Sequence, residues 1–162
     1  MKNTGYLILS CLLFLVLTNP LSAQIPVGSW RAHLSYDSIQ AVTGSEDKIY
    51  AASQSGILVY NKGYNSTETI DKVKGLSESA ISSIAYSMDQ HALLIGYHSG
   101  NLDVYKDGEI SNHPYLKEHA HYRKKKISGI AVRQGKALLS CPFGIGIFDM
   151  KRGEFMETWQ PG

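Results

Sequence analysis

Three stretches of the chain carry one pattern: Ser55-Gly56-Ile57-Leu58-Val59-Tyr60, Ser99-Gly100-Asn101-Leu102-Asp103-Val104-Tyr105 and Phe143-Gly144-Ile145-Gly146-Ile147-Phe148-Asp149. Gly56, Gly100 and Gly144 fall at a 44-residue period. An apolar run precedes each stretch: Lys48-Ile49-Tyr50-Ala51-Ala52-Ser53, Ala92-Leu93-Leu94-Ile95-Gly96-Tyr97 and Lys136-Ala137-Leu138-Leu139-Ser140-Cys141. Further out, Ile39-Gln40-Ala41-Val42, Ile81-Ser82-Ser83-Ile84 and Ile127-Ser128-Gly129-Ile130 open the three units, and more polar runs at 66–71, 109–115 and 154–159 close them. Short apolar runs broken by turn residues, none continued at helical spacing, read as strands. Turn signals separate them, such as Gln134-Gly135 after a first strand and Lys106-Asp107-Gly108 before a fourth. Gly56, Gly100 and Gly144 read as structural turn residues, because glycine permits the positive φ of a tight hairpin.

Four short antiparallel strands repeated at this period match the blade of a β-propeller. The expected fold class is all-β: a partial β-propeller of about three four-stranded blades, over residues 39–71, 81–116 and 127–159, after a signal peptide. A blade has apolar residues on both faces and needs neighbours to cover them. Propellers close with roughly four to eight blades, so three form an open arc with two uncovered apolar faces. Residues 24–162 are therefore expected to be the amino-terminal part of a longer propeller, or to close with another copy or a partner.

Residues 1–23 read as the signal peptide. Lys2 supplies a positive start, an apolar run covers 6–17, Asn19-Pro20 breaks it, and Ser22-Ala23 offers a small-residue cleavage site. The run is shorter than the roughly 20 residues a membrane-spanning helix needs. Cys11 lies inside it and does not read as a lipidation site. Export through the Sec route to the periplasm or the outer-membrane cell surface follows. Cleavage would leave Cys141 without a disulfide partner, in an apolar run where a small buried hydrophobe is the expected role. The whole chain has 162 residues, a net charge of +2, 43% hydrophobic residues, 19% charged residues and two cysteines. That apolar content excludes disorder, two cysteines are too few for a disulfide scaffold, and the charge is too small to drive nucleic-acid binding.

If the first strand of each blade is innermost, the hairpins between second and third strands share a face with the crossovers between blades. That face would present Gln54-Ser55, His98-Ser99 and Pro142-Phe143, with the crossovers at 72–80 and 117–126. Arg123-Lys124-Lys125-Lys126, preceded by His119, His121 and Tyr122, is the densest block of charge. It suits an anionic sugar, a phosphate or an acidic partner surface; the plainer reading is a solvated loop. The candidate binding residues are thus His98, Ser99, Arg123, Lys124, Lys125 and Lys126. His113, His119 and His121 lack an accompanying Cys or carboxylate cluster at ligand spacing, so no metal is expected. Asn65-Ser66-Thr67 fits an N-glycosylation acceptor, which matters in a eukaryotic secretory host. Tyr50, Tyr60, Tyr97 and Tyr105 fall in strands and read as packing residues. Asp103 and Asp149 occupy near-matching places in third strands, where edge solvation or hydrogen bonding accounts for them. The sequence has no phosphate loop, nucleophile elbow, HExxH or paired catalytic carboxylate, so neither enzyme activity nor a cofactor is expected.

The stretch Gly75-Leu76-Ser77-Glu78-Ser79-Ala80-Ile81 resembles the lead-in of blades in two-component-regulator-type propellers, although those usually carry Trp where this chain has Leu93-Leu94-Ile95-Gly96-Tyr97. A wider set is similar to the amino-terminal propeller of the PorZ family, components of the type IX secretion system of Bacteroidetes. It comprises Trp30-Arg31-Ala32-His33-Leu34-Ser35-Tyr36, Ile49-Tyr50-Ala51-Ala52, Gly75-Leu76-Ser77, Gly96-Tyr97 with Gly100-Asn101-Leu102-Asp103, Phe143-Gly144-Ile145 through Asp149, and Glu157-Thr158-Trp159 with Gly162. This resemblance covers nearly all of residues 28–162. It implies a non-catalytic scaffold or binding module in the outer-membrane complex that releases cargo and attaches it to lipopolysaccharide. The implied partners are a PorU-like sortase and the outer-membrane proteins PorV and PorQ, with anionic lipopolysaccharide as a further ligand and no nucleic acid. Asp37-Ser38-Ile39 resembles a Bacteroidetes O-glycosylation acceptor. The alternative is the extracytoplasmic ligand-sensing propeller of a two-component regulator; a third class, a secreted propeller enzyme such as a lyase, would need acidic or metal-ligand residues recurring at blade centres. The PorZ family continues into further blades, a second propeller and a sorting domain beyond the residues of this sequence, so the expectation stops at Sec-type export.

Overall fold

The computed structural model describes residues 38–160. The leader, Cys11, the Trp30 to Tyr36 stretch, Asp37 and Gly162 lie outside the described residues. Twelve strands form three antiparallel sheets of four. The first holds β1 (Ala41–Gly44), β2 (Lys48–Ala52), β3 (Ile57–Asn61) and β4 (Ser66–Ile70); the second holds β5 (Ile81–Ser87), β6 (Ala92–Tyr97), β7 (Leu102–Lys106) and β8 (Glu109–His113). The third holds β9 (Gly129–Arg133), β10 (Lys136–Cys141), β11 (Gly144–Asp149) and β12 (Glu154–Trp159). Each sheet is an up-and-down meander in sequence order. β5 packs beside β1 on one side and β9 on the other, so the first strands stand together and the later strands fan outward. This is the partial β-propeller that the 44-residue period predicts.

Two apolar layers hold the sheets together. Between the first and second sheets lie Tyr50, Ile57, Val59, Ile81, Leu93, Ile95 and Tyr97; between the second and third lie Leu94, Leu102, Leu116, Ile127, Leu139 and Phe148. Successive residues of a strand point to opposite faces, so Leu93 and Ile95 serve one layer while Leu94 serves the other. Every residue of β6 is buried for that reason. The outer sheets have a neighbour on one face, and their strands alternate instead: β10 runs exposed, buried, exposed, buried from Lys136 onward. Val42 is 63% exposed, Ile49 and Leu138 are 38% exposed and Ile145 is 36% exposed, each on the uncovered face of an end sheet.

One turn differs from expectation. Gly100 (φ 86°) and Gly144 (φ 136°) take left-handed backbone, but Gly56 is not among the positive-φ residues. The four-residue connection after β2 reverses through a serine instead. The Ser53 hydroxyl donates to the Gly56 carbonyl at 3.1 Å and accepts from the Ser55 N–H at 3.3 Å, while the Ser53 N–H reaches the Gly56 carbonyl at 2.9 Å. A side chain that mimics a backbone turn removes the need for left-handed glycine.

Candidate functional site

The crossovers close over the hairpins joining second to third strands. In the first, the Asp71 carboxylate caps a single 3-10 turn (Lys72–Lys74) by accepting from the N–H groups of Val73 and Lys74. Gly75 ends the turn in left-handed conformation (φ 103°), Leu76 is buried, and Ser77 delivers its N–H and hydroxyl to Asp103 at 2.9 and 2.7 Å. Asp103 also accepts from the Tyr97 phenol and the Asn112 amide, both at 2.7 Å. Burial, with the Asp103 hydrogen bond and charge adding to it, raises the Tyr97 phenol far above its ordinary range. Asp103 is completely buried, which corrects the edge-solvation alternative. The two third-strand aspartates are also not equivalent. Asp103 pairs with Ile95 in the interior of β6, whereas Asp149 pairs with Lys136 at the start of β10 and caps the following turn through the N–H groups of Lys151 and Arg152.

The second crossover contains a one-turn helix, α1 (Tyr115–Glu118), then the loop 119–128. Ile127 is buried against Gly96, where an added Cβ would lie 2.8 Å from the isoleucine's Cγ2. Its carbonyl accepts from the Ser82 and Ser83 hydroxyls at 2.7 and 2.9 Å, and its N–H reaches the Tyr97 carbonyl at 3.2 Å. At Gly100 an added Cβ would meet the Lys125 Cβ at 2.7 Å and its carbonyl oxygen at 2.8 Å. The left-handed glycine thus serves the crossover as well as the hairpin.

The structure divides the candidate residues. His98 is exposed, with Nδ1 at 2.9 Å from the Ala80 carbonyl, so this nitrogen carries a proton. The Ser99 hydroxyl donates to Glu78 at 2.6 Å, and Lys117 forms an ion pair with the same carboxylate at 2.8 Å. Both His98 and Ser99 therefore fasten the first crossover to the second sheet. Lys125 is half-buried and its ammonium donates to the Lys117 carbonyl. Lys126 is exposed. Arg123 and Lys124 are exposed and line a groove of about 830 Å³ with Tyr122, Phe143 and Gln160.

Stacked rings form the floor beneath that groove. Tyr122 lies 3.7 Å from Phe143 at 11° and 4.7 Å from His119 at 25°. Tyr115 continues the series between His119 and Phe155, and Phe155 meets the buried Phe148 at 5.2 Å. Tyr122 is fixed further by a 2.8 Å hydrogen bond between its hydroxyl and that of Thr158. His113 packs edge-on against Phe148, and burial lowers its pKa. Among the described residues no group of three His, Cys, Asp or Glu is placed to hold a metal ion. Cys141 belongs to the second apolar layer, and burial pushes its thiol up to about 11, which keeps it protonated and unreactive at neutral pH.

Glu78 supplies a testable pH dependence. Burial works to raise its pKa, but hydrogen bonds from Lys117 and Ser99 and the Lys117 charge outweigh this and bring it below the ordinary 4.5. A depressed carboxylate pKa adds stability above the unfolded value that disappears as the pH falls through the folded value. Glu78→Gln is therefore expected to lower the unfolding free energy at neutral pH, with the difference from wild type closing below about pH 4.5. Urea titrations of both proteins from pH 7 to pH 3 check this.

The sequence reading missed two features: the Ser77, Asp103, Tyr97 and Asn112 network, and a second cleft on the opposite face between Tyr50, Tyr86 and Tyr105. Strand register holds the signal for the second. Tyr86 and Tyr105 both pair with Leu93, and so share one row across the sheet.

Three four-stranded meanders with their first strands together place the chain among the β-propellers, here as an arc whose crossovers roof one face. It belongs to the family described as TSS9, PorZ, N-terminal beta-propeller domain, whose model matches residues 49–162. The structure is similar to that of PorZ, described as an essential bacterial surface component of the type-IX secretion system of Porphyromonas gingivalis, with a TM-score of 0.70 and 26% identity. That match covers 75% of this chain and 16% of PorZ. The extracellular domain of BT4673 from B. thetaiotaomicron shares the fold at a TM-score of 0.63 and 15% identity, over 85% of this chain and 18% of its own. The RRP9 WD40 repeats do so at 0.63 and 16%, over 81% and 40%. No curated protein matches the chain in sequence.

Proposed function

We propose that this chain is a non-catalytic binding segment of a type IX secretion component, exported through the Sec route to act at the outer membrane. In this reading its crossover face receives an anionic surface glycan such as lipopolysaccharide, within a complex that includes a PorU-like sortase. The observation that carries this is the groove itself, which Arg123 and Lys124 line together with the stacked rings of Tyr122 and Phe143. A planar guanidinium pairs with carboxylate or phosphate through two parallel hydrogen bonds, and the rings supply an apolar surface for the CH groups of a sugar. Lys125, engaged with the Lys117 carbonyl, holds the loop in place rather than serving the ligand.

The native polypeptide, carrying Arg123→Gln and Lys124→Gln together, is the test. Binding of purified lipopolysaccharide is expected to weaken about tenfold at low salt and to lose much of its salt dependence, as removal of two exposed charges requires. Unchanged lipopolysaccharide binding and unchanged co-purification with the sortase would reject the proposal. Lys126→Gln, which alters a charge outside the groove, is the control.

A further inference from the structure

The face opposite the crossovers carries a cleft of about 330 Å³ between the first two sheets. Tyr50 approaches it from β2, Tyr86 from β5 and Tyr105 from β7. The rings of Tyr50 and Tyr86 stack at 5.7 Å and 13°. Among the described residues no protein group hydrogen-bonds these three phenol hydroxyls, and none of their oxygens is sealed from solvent, so they stay available at the cleft. Tyr97, in the same apolar layer, shows the usual arrangement, since its hydroxyl donates to Asp103 at 2.7 Å. Three accessible phenols on one cleft offer hydrogen-bond donors and acceptors to a bound molecule, and their rings offer apolar faces to its CH edges. Burial, with the Tyr86 and Tyr105 phenols adding to it, pushes Tyr50 up to about 12, so it remains a neutral donor and acceptor at physiological pH.

The charges around the cleft select the ligand class. Asp47 and Asp107 oppose Lys48 and Lys106, so the formal charges cancel. Glu68, outside the lining, holds the Lys48 ammonium in a 3.2 Å ion pair, which further disfavours an anion. An anion would face two carboxylates and a cation two ammonium groups. A purely apolar molecule would leave three phenols dry and unpaired, which costs free energy. A neutral ligand rich in hydroxyls satisfies all of these groups, because phenols and carboxylates accept and donate to its hydroxyls while ring faces cover its CH edges. The volume falls at the small end of ligand pockets.

We propose that this cleft, between Tyr50, Tyr86 and Tyr105, binds a single neutral sugar ring. The site is separate from the basic groove and does not depend on it. The test uses the native polypeptide and saturation-transfer NMR with three probes: methyl α-D-mannopyranoside, methyl β-D-glucopyranoside and N-acetyl-D-glucosamine. At least one is expected to receive transfer at millimolar concentration. Tyr86→Phe with Tyr105→Phe keeps both rings and removes two hydroxyls, and is expected to weaken that binding about tenfold. Asp107→Asn, at an exposed turn, is a second variant with the same expected direction. The Arg123→Gln and Lys124→Gln pair should leave the sugar signal unchanged, so failure of the groove reading and failure of this one are distinguishable. Absence of transfer from all three probes, or transfer of wild-type strength in both cleft variants, overturns the proposal. So does a protein partner occupying the cleft in place of any sugar.

Discussion

Asp103→Ala is expected to destabilise the native protein by about 2 to 4 kcal/mol, because the substitution leaves the buried Tyr97 hydroxyl without its acceptor and removes a charged acceptor from half-buried Ser77 and from Asn112. Ser77 supplies two of the donors, Tyr97 one and Asn112 one, at 2.7 to 2.9 Å. The carboxylate is fully buried, so water does not replace it without opening the structure. Asp103→Asn retains the volume but turns an NH₂ group toward donors, and should lie between wild type and alanine. Asp149→Ala removes a cap from an exposed turn and should change little. Urea unfolding of the three variants measures this order. A second readout follows from the anchor's position: with Ser77 released, the adjoining segment becomes accessible, and limited trypsin digestion should cut at Lys72 or Lys74 in the alanine variant well before wild type. Equal stability of Asp103→Ala and Asp149→Ala would remove the network from the account.

The second large effect concerns the end sheets. Residues 24–162 expressed alone are expected to self-associate or aggregate, because both outer faces are apolar and uncovered. On the first sheet the face comprises Val42, Ala51, Leu58, Ile49 and Tyr60 across adjacent strands. On the third, Leu138 pairs with Ile147, and Ile145 lies between Ser140 and Trp159. Covering a large aliphatic side chain is worth about 1.5 to 3 kcal/mol, so several together favour association over exposure. Sedimentation velocity should show species larger than the monomer. Ile49→Lys with Leu138→Glu, which charges both faces, should move the distribution toward monomer. A wild-type fragment that sediments as a monomer and unfolds cooperatively would show that the arc supports itself.

The architecture was legible because its signal is local and repeated. Apolar runs of blade length, turn residues between them and a constant period identify four-stranded units without any knowledge of tertiary contacts. The sequence also distinguishes the middle sheet from its neighbours: Ala92-Leu93-Leu94-Ile95 has no polar alternation, and β6 is the strand with both faces covered. Side-chain partners across sheets were less legible. Spacing alone did not show that Ser77 reaches Asp103, 26 positions away, nor that Gly56 would be relieved of left-handed backbone by the Ser53 hydroxyl. The basic run was visible as charge, but its division followed from the loop's path over Gly100. That path turns Lys125 inward and leaves Arg123 and Lys124 at the groove. The tyrosine cleft needed both strand register and sheet stacking, and linear spacing contains neither.

The crossovers carry a consequence for the order of assembly. Gln54 of the first sheet's hairpin receives its bonds from Ala80 and Ile81, and Tyr97 of the second receives one from Ile127. In each case the fastening residue comes later in the chain than the hairpin it secures. During synthesis a completed sheet therefore remains loose at its roof until the first residues of its successor have been made. Growth and locking advance in the same direction, like a zip drawn from the amino end, and the most recent sheet is always the one not yet latched.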